Sequence, residues 1–287
     1  MKIGIDIGGS HISVGLVNSE GKIIEKMEQD LNREGDVGKN ILNYVDNAIE
    51  KLTQTVDITN IGVATPGNPK TAKMTNLVNL ELNELDFKSI EIKYNISIKN
   101  INDAKAAAIA EKEYGALRGI KDGVFLCLGT GIGGAVFLNN ELLISHRNQG
   151  FELGHMIIDK NGELCHCGKR GCFETYGSMK RLKDKLNISN EQELKILLEK
   201  EDTSKWANKI VQEYINDLII GLSNVIDIFE PEVIVLGGSF VHFKETLFDK
   251  LVLEMNTRRY VFNKETLPKI KLAELGNDAG VIGATLI

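Results

Sequence analysis

Residues 124–138 read Val124-Phe125-Leu126-Cys127-Leu128-Gly129-Thr130-Gly131-Ile132-Gly133-Gly134-Ala135-Val136-Phe137-Leu138. Two apolar runs, 124–128 and 135–138, flank a glycine-rich segment, the pattern of two β-strands meeting at a tight loop. Glycines 129, 131, 133 and 134 with Thr130 make this loop expensive in chain entropy. Such a loop lets backbone N–H groups come close to an anion. It is not a P-loop, because no Lys-Ser/Thr follows and a strand comes next where a helix should begin. The dinucleotide fingerprint fails for the same reason.

The start of the chain has the same design. Residues 2–7 and 11–17 read as strands, Asp6-Ile7-Gly8-Gly9-Ser10 turns between them, and a third strand covers 21–29. A helix is predicted over 37–52, with Ile41, Leu42, Val45, Ala48, Ile49 and Leu52 on one stripe. A buried strand at 61–64 runs into the turn Thr65-Pro66-Gly67. Strand 96–101 ends at Asn102-Asp103, and helix 104–114 is stopped by Gly115. From 124 the order restarts: the hairpin, a short strand at 142–144, an insertion, then a helix over 205–229. Strand 233–236 leads to Gly237-Gly238 and a further helix, strand 269–273 follows, and a helix over 278–287 closes the chain. Two halves that open alike point to a duplicated α/β unit, with lobes at 1–105 and 106–287 and a cleft between them. The terminal segment 277–287 can pack back on the first lobe.

Composition sets bounds. The 287 residues suffice for one or two domains. A net charge of −6 offers no global field to a nucleic acid. No apolar run approaches the roughly 20 residues of a membrane span, and the N-terminus has no signal-peptide build. The expectation is a soluble cytoplasmic protein with neither membrane nor nucleic-acid partners.

Four cysteines are present. Cys127 reads as a small buried hydrophobe, whereas Cys165, Cys167 and Cys172 cluster as metal ligands do in a reducing compartment. With His155 they would make a closed tetrahedral Cys₃His zinc site; His166, between two of the cysteines, is the competing imidazole. Glu152 and Glu174 flank the cluster and suit hydroxyl recognition. Asp6 is placed to hold Mg²⁺ through water. Asp103 is either a plain helix N-cap or the general base that phosphoryl transfer requires. The two glycine hairpins are either unrelated turns or a pair that closes on a triphosphate.

Asp6-x-Gly8-Gly9, Pro66-Gly67, Asn102-Asp103-Ala104, Gly129-Thr130-Gly131-Ile132-Gly133-Gly134, Glu152-x-Gly154-His155 and the run CHCGKRGCFE at 165–174 together resemble the ROK family of sugar kinases and repressors. The resemblance spans nearly the whole chain in order. It implies a two-lobed actin-like ATPase (ribonuclease H-like) α/β fold with an inserted zinc-binding loop at 155–174. It further implies ATP and Mg²⁺ held by Asp6, Gly8, Gly9 and Ser10 and by Gly129, Thr130, Gly131, Gly133 and Gly134, with Gly237 and Gly238 bordering the adenosine. Asp103 would be the catalytic base, and Gly67, Asn79, Asn102, Glu152, His155 and Glu174 would join it around the sugar. Zn²⁺ would sit on His155, Cys165, Cys167 and Cys172, where its effect is expected on the sugar and not on the phosphate. Two departures stand out: Ser10-His11 replaces the usual Thr and basic residue, and Lys105 replaces the usual Asn. Family repressors carry an N-terminal helix-turn-helix, and only five residues precede Asp6, so none is expected. The resemblance implies a homodimeric, ATP-dependent hexose or N-acetylhexosamine kinase acting at the C6 hydroxyl; the alternative is a non-catalytic sugar-sensing or scaffold member.

Overall fold

The structure, a computed structural model, describes residues 1–148, 150–200, 204–258 and 267–287. It divides into two compact units, one of Met1–Arg118, Ser145–Gln149 and Asn277–Ile287, the other of Gly119–Ile144 and Gly150–Gly276.

In the first unit β1 (Lys2–Ile7), β2 (His11–Val17) and β3 (Ile23–Asp30) form an antiparallel meander. Helix α1 (Val37–Leu52) then crosses to β4 (Asn60–Thr65), which pairs parallel to β1. Asp36 caps α1 by accepting the Lys39 N–H at 3.0 Å. The predicted stripe is buried at Ile41, Val45, Ala48, Ile49 and Leu52. A small antiparallel sheet follows, of β5 (Asn68–Lys70), β6 (Lys73–Leu77) and β7 (Leu82–Asp86), and then α2 (Lys88–Tyr94). The sequence reading contained none of these four elements. Strand β8 (Ile98–Asn102) adds a parallel neighbour to β4 and leads into α3 (Asp103–Tyr114). The sheet order is therefore β3-β2-β1-β4-β8.

The C-terminal helix (Ala279–Ala284) belongs to this unit and lies on β1 and α3. Its backbone rests on the sheet: a Cβ at Gly62 would come within 1.6 Å of the Ala284 carbonyl oxygen. Only glycine permits that approach. Because α3 packs against this helix, the first unit runs past residue 105 to the end of α3 and beyond.

The second unit repeats the plan. Strands β9 (Gly123–Leu128), β10 (Ile132–Leu138) and β11 (Glu141–Leu142) are antiparallel. After an insertion carrying α4 (Phe173–Gly177), α5 (Met179–Leu186) and α6 (Glu191–Leu198), helix α7 (Lys205–Phe229) crosses to β12 (Val233–Gly237). A 3₁₀ turn, a short π-helical stretch and α8 (Asp249–Met255) precede β13 (Lys269–Leu272). Strands β12 and β13 pair parallel, giving the order β11-β10-β9-β12-β13. Both units thus use one order, with the antiparallel meander on one side and parallel strands on the other. Helix α7 buries Ile215, Leu218, Leu222 and Val225 into the core of this unit.

Candidate functional site

Asp6 and Asp103 come together in the first unit. Asp6 lies at the end of β1 and pairs across to Ala64 of β4, while Asp103 begins α3 two strands along. Burial, with the charge of Asp103 adding to it, pushes the Asp6 carboxyl up to about 7. Burial also raises Asp103, and hydrogen bonds from the Ala104 and Asp103 N–H groups and from Asn102 oppose the rise. Two neighbouring carboxyls whose charge is costly to bury mark a candidate functional site. The cap of α3 is Asn102, whose Oδ1 accepts the Lys105 N–H at 3.3 Å. Asp103, expected as a possible cap, instead accepts the Ala104 N–H at 2.8 Å.

Each glycine hairpin is a tight turn. Gly8 donates to the His11 carbonyl at 2.8 Å, and Gly129 to that of Gly131 at 3.0 Å. The second strand of the latter hairpin begins at Ile132, so Gly133 and Gly134 lie in β10 and the loop is only Gly129-Thr130-Gly131. A Cβ at Gly9 would meet nothing closer than 3.6 Å, and at Gly129 nothing within 4 Å. Neither residue has positive φ. The fold itself therefore asks for glycine at neither position, which fits a cradle that a side chain would fill. Gly237 and Gly238 are different: a Cβ there would meet the Phe125 ring at 2.7 Å and the Leu128 carbonyl at 2.5 Å, so packing explains them.

Gly67 sits at φ +109 beside the Thr75 carbonyl oxygen, in the turn after β4. Asn79 is exposed in the 3₁₀ turn Val78–Leu80. Arg33, which sequence reading passed over, donates to the carbonyls of Gly9 at 2.6 Å and Asn79 at 2.9 Å. It thereby ties the first glycine turn to the Asn79 segment; an arginine in a polar connection carries no sequence signal of that role. Lys105 is buried and donates to Asn148 Oδ1 at 2.9 Å.

In the second unit the ligand atoms of His155, Cys165, Cys167 and Cys172 all lie within 4.8 Å of one another. Cys167 and Cys172 sulfurs are 3.6 Å apart, and Cys165 Sγ is 3.8 Å from His155 Nδ1. A tetrahedron with Zn–S bonds of about 2.3 Å has edges of about 3.8 Å, so the donor set fits zinc. The Cys165–Lys169 and Gly168–Cys165 backbone hydrogen bonds fold the knuckle. Burial, with its two cysteine neighbours, pushes the Cys172 thiol up to about 12. Burial works the same way on Cys167, but hydrogen bonds from Lys169 N–H and the other thiols carry it below its usual value. His166 is the alternative imidazole; with His155 and Glu174 it makes a second candidate group, and its Nδ1 is 3.1 Å from Glu174 Oε1. Glu152 is exposed just before the 3₁₀ turn Leu153–His155. Glu174, in the first turn of α4, accepts the Ile132 N–H at 2.8 Å.

Two α/β units of one strand order, each with a glycine turn in its first hairpin, define the actin-like ATPase class of fold. The ROK family profile matches residues 2–287, and the chain belongs to the ROK family. It is 30% identical to a glucokinase from Thermotoga maritima, over 99% of this chain and 96% of that protein. It is also 31% identical to the xylose repressor of Bacillus spizizenii, over 99% of this chain and 76% of the repressor. The crystal structure of a ROK family glucokinase from Streptomyces griseus in complex with glucose and AMPPNP matches with a TM-score of 0.79 at 25% identity, covering 99% of this chain and 97% of that one. Among the described residues no helix is long and apolar enough to cross a membrane.

Proposed function

We propose that this chain is an ATP-dependent kinase that phosphorylates a hexose or N-acetylhexosamine at its C6 hydroxyl. The observation that carries the reading is the Asp6–Asp103 pair, two carboxyls raised by burial beside a glycine turn that crowds no side chain. Asp103 accepts the proton of the sugar hydroxyl as its oxygen forms a bond to the γ-phosphorus. The bond from that phosphorus to the β,γ-bridging oxygen breaks, and ADP leaves. In the first unit the residues proposed to contact sugar are Asn102, Gly67 and Asn79; in the second unit, taken by itself, they are Glu152, His155 and Glu174. N–H groups of the turns at Gly8–Ser10 and Gly129–Gly131 bind phosphate oxygens, and Gly133, Gly134, Gly237 and Gly238 shape the surroundings. Asp6 would hold Mg²⁺, which when bound would supply positive charge to offset that of the phosphates. His155, Cys165, Cys167 and Cys172 would hold zinc, a closed structural centre that fixes the His155 imidazole.

A second reading rests on the similarity to a xylose repressor: a sugar-sensing member without catalysis. A coupled ADP-release assay with Mg²⁺ across a hexose and N-acetylhexosamine panel separates the two. Turnover with at least one sugar is the expected result. Saturable sugar binding with no turnover on any sugar would establish the sensing reading instead. The kinase reading also carries a cytoplasmic homodimer, to be measured by light scattering.

A further inference from the structure

The segment that leaves the metal knuckle grips the glycine-rich turn at both ends. Cys172 caps α4, and two residues on Glu174 turns its largely buried carboxylate toward β10. Its Oε2 accepts the N–H of Ile132, the first residue after the turn, at 2.8 Å. The same oxygen lies so near the turn that a Cβ at Gly131 would come within 2.2 Å of it. At the other end the Gly129 carbonyl accepts the N–H of Lys180, in the first turn of α5, at 3.1 Å. The α4–α5 segment is itself anchored: the buried Tyr214 hydroxyl of α7 donates to the Gly177 carbonyl at 3.1 Å. Residues 129–132 are thus spanned by two hydrogen bonds from one short stretch, whose N-terminal end is the metal ligand Cys172.

We infer that Glu174 is a positioning residue for the glycine-rich turn, and that the knuckle therefore sets the order of the nucleotide loop as well as of the sugar edge. The inference rests on reading this hairpin as a phosphate-binding loop. It departs from the sequence expectation that the metal acts on the sugar alone. The physical reason is that the carboxylate accepting the Ile132 N–H belongs to the helix that begins at a metal ligand. Loosening the knuckle frees the start of α4, the carboxylate moves, and the Ile132 N–H loses its acceptor. A turn that must present backbone N–H groups to phosphate in one geometry then samples several.

The test uses the full chain without sugar. A non-hydrolysable ATP analogue with Mg²⁺ is titrated calorimetrically into wild type, Glu174→Ala, Glu174→Gln and chelator-stripped wild type. Amide exchange of 129–132 is followed in parallel. Glu174→Ala and the stripped protein are expected to bind the analogue on the order of tenfold more weakly, with faster exchange of the Ile132 amide. Glu174→Gln keeps an acceptor oxygen and should recover most of the affinity and protection, so it also covers the case in which the alanine variant folds poorly. Wild-type affinity and exchange in Glu174→Ala, with only the sugar KM altered, would overturn the inference. Loss of Ile132 protection in a protein that binds no nucleotide even as wild type would uphold the clamp and sink the nucleotide reading.

Discussion

Gly280 of the C-terminal helix lies directly against Asp6: a Cβ built at 280 would stand 2.2 Å from Asp6 Oδ2. The last helix of the chain thus forms one wall of the site made by its first strand. Gly280→Ala should push the carboxylate aside and overpack the contact, costing about 1–3 kcal/mol. Denaturant titration should register that loss, and the Mg²⁺ concentration for half-maximal turnover should rise. Unchanged stability and Mg²⁺ dependence would show that Asp6 moves freely.

The raised Asp6 carboxyl has a pH signature. Its value moves from 3.8 up to about 7 on folding. A group raised in the folded state contributes stability that is fully present below its unfolded value and is lost as pH rises through the folded one. The metal-free protein should therefore lose stability between about pH 4 and 7 from this group, and Asp6→Asn should flatten that slope. Denaturation midpoints across this range, in chelator, test it; a slope that persists unchanged in Asp6→Asn assigns the effect elsewhere.

Asp103→Asn should lower kcat by roughly 10²–10⁴. Stability should barely change, because Asn102 and not Asp103 caps α3. Stopped-assay kcat beside a thermal melt separates base from scaffold. A variant keeping more than about a tenth of wild-type kcat would remove Asp103 from the base role.

Gly9→Ala and Gly129→Ala probe the turns. Neither Cβ meets an atom within 3.5 Å, and neither backbone needs positive φ. Stability should hold or rise by a few tenths of a kcal/mol through the unfolded chain. Nucleotide affinity should fall, because the methyl occupies space the phosphate needs. Equal nucleotide affinity in both variants would mean that the glycines answer to something other than a ligand.

What could be read from the chain, and what could not, divides along physical lines. Helix α1 was legible to the residue because a clean apolar stripe follows an Asp cap, and the two hairpins because glycine interrupts apolar runs. The β5–β7 sheet was not: Asn68-Pro69-Lys70 has no period-two alternation, and the strand is held by its pairing to β6. Helix α4 is too short to show periodicity, whereas α5 carries an i, i+3, i+7 stripe of Met179, Leu182 and Leu186 that a charged sequence around it obscures. The candidate metal ligands stood out by residue type and by their clustering in sequence. The hold of Glu174 on Ile132 spans 42 positions in sequence and has no local signature. Arg33 escaped notice for a different reason: it acts through backbone carbonyls, and any residue supplies those.

The cysteines should differ when removed one at a time. Cys172 is fully buried, opens α4 and precedes the core residue Phe173, whereas Cys167 is exposed. A single closed site predicts about one zinc per purified chain. Its loss costs folding free energy as well as ligand binding. Cys167→Ser should lower zinc occupancy yet leave a folded protein. Cys172→Ser should lose the metal and destabilise by about 2 kcal/mol or more, since a more polar hydroxyl then replaces a fully buried thiol. The thiol of Cys172, pushed up to about 12 in the metal-free protein, must also give up its proton to bind, so zinc uptake near neutral pH should release protons and strengthen as pH rises. Metal analysis, melting curves and proton release in a weakly buffered zinc titration measure the three effects. A metal-free protein with full activity, or two cysteine variants indistinguishable in stability, would show that the knuckle holds its shape without the ion.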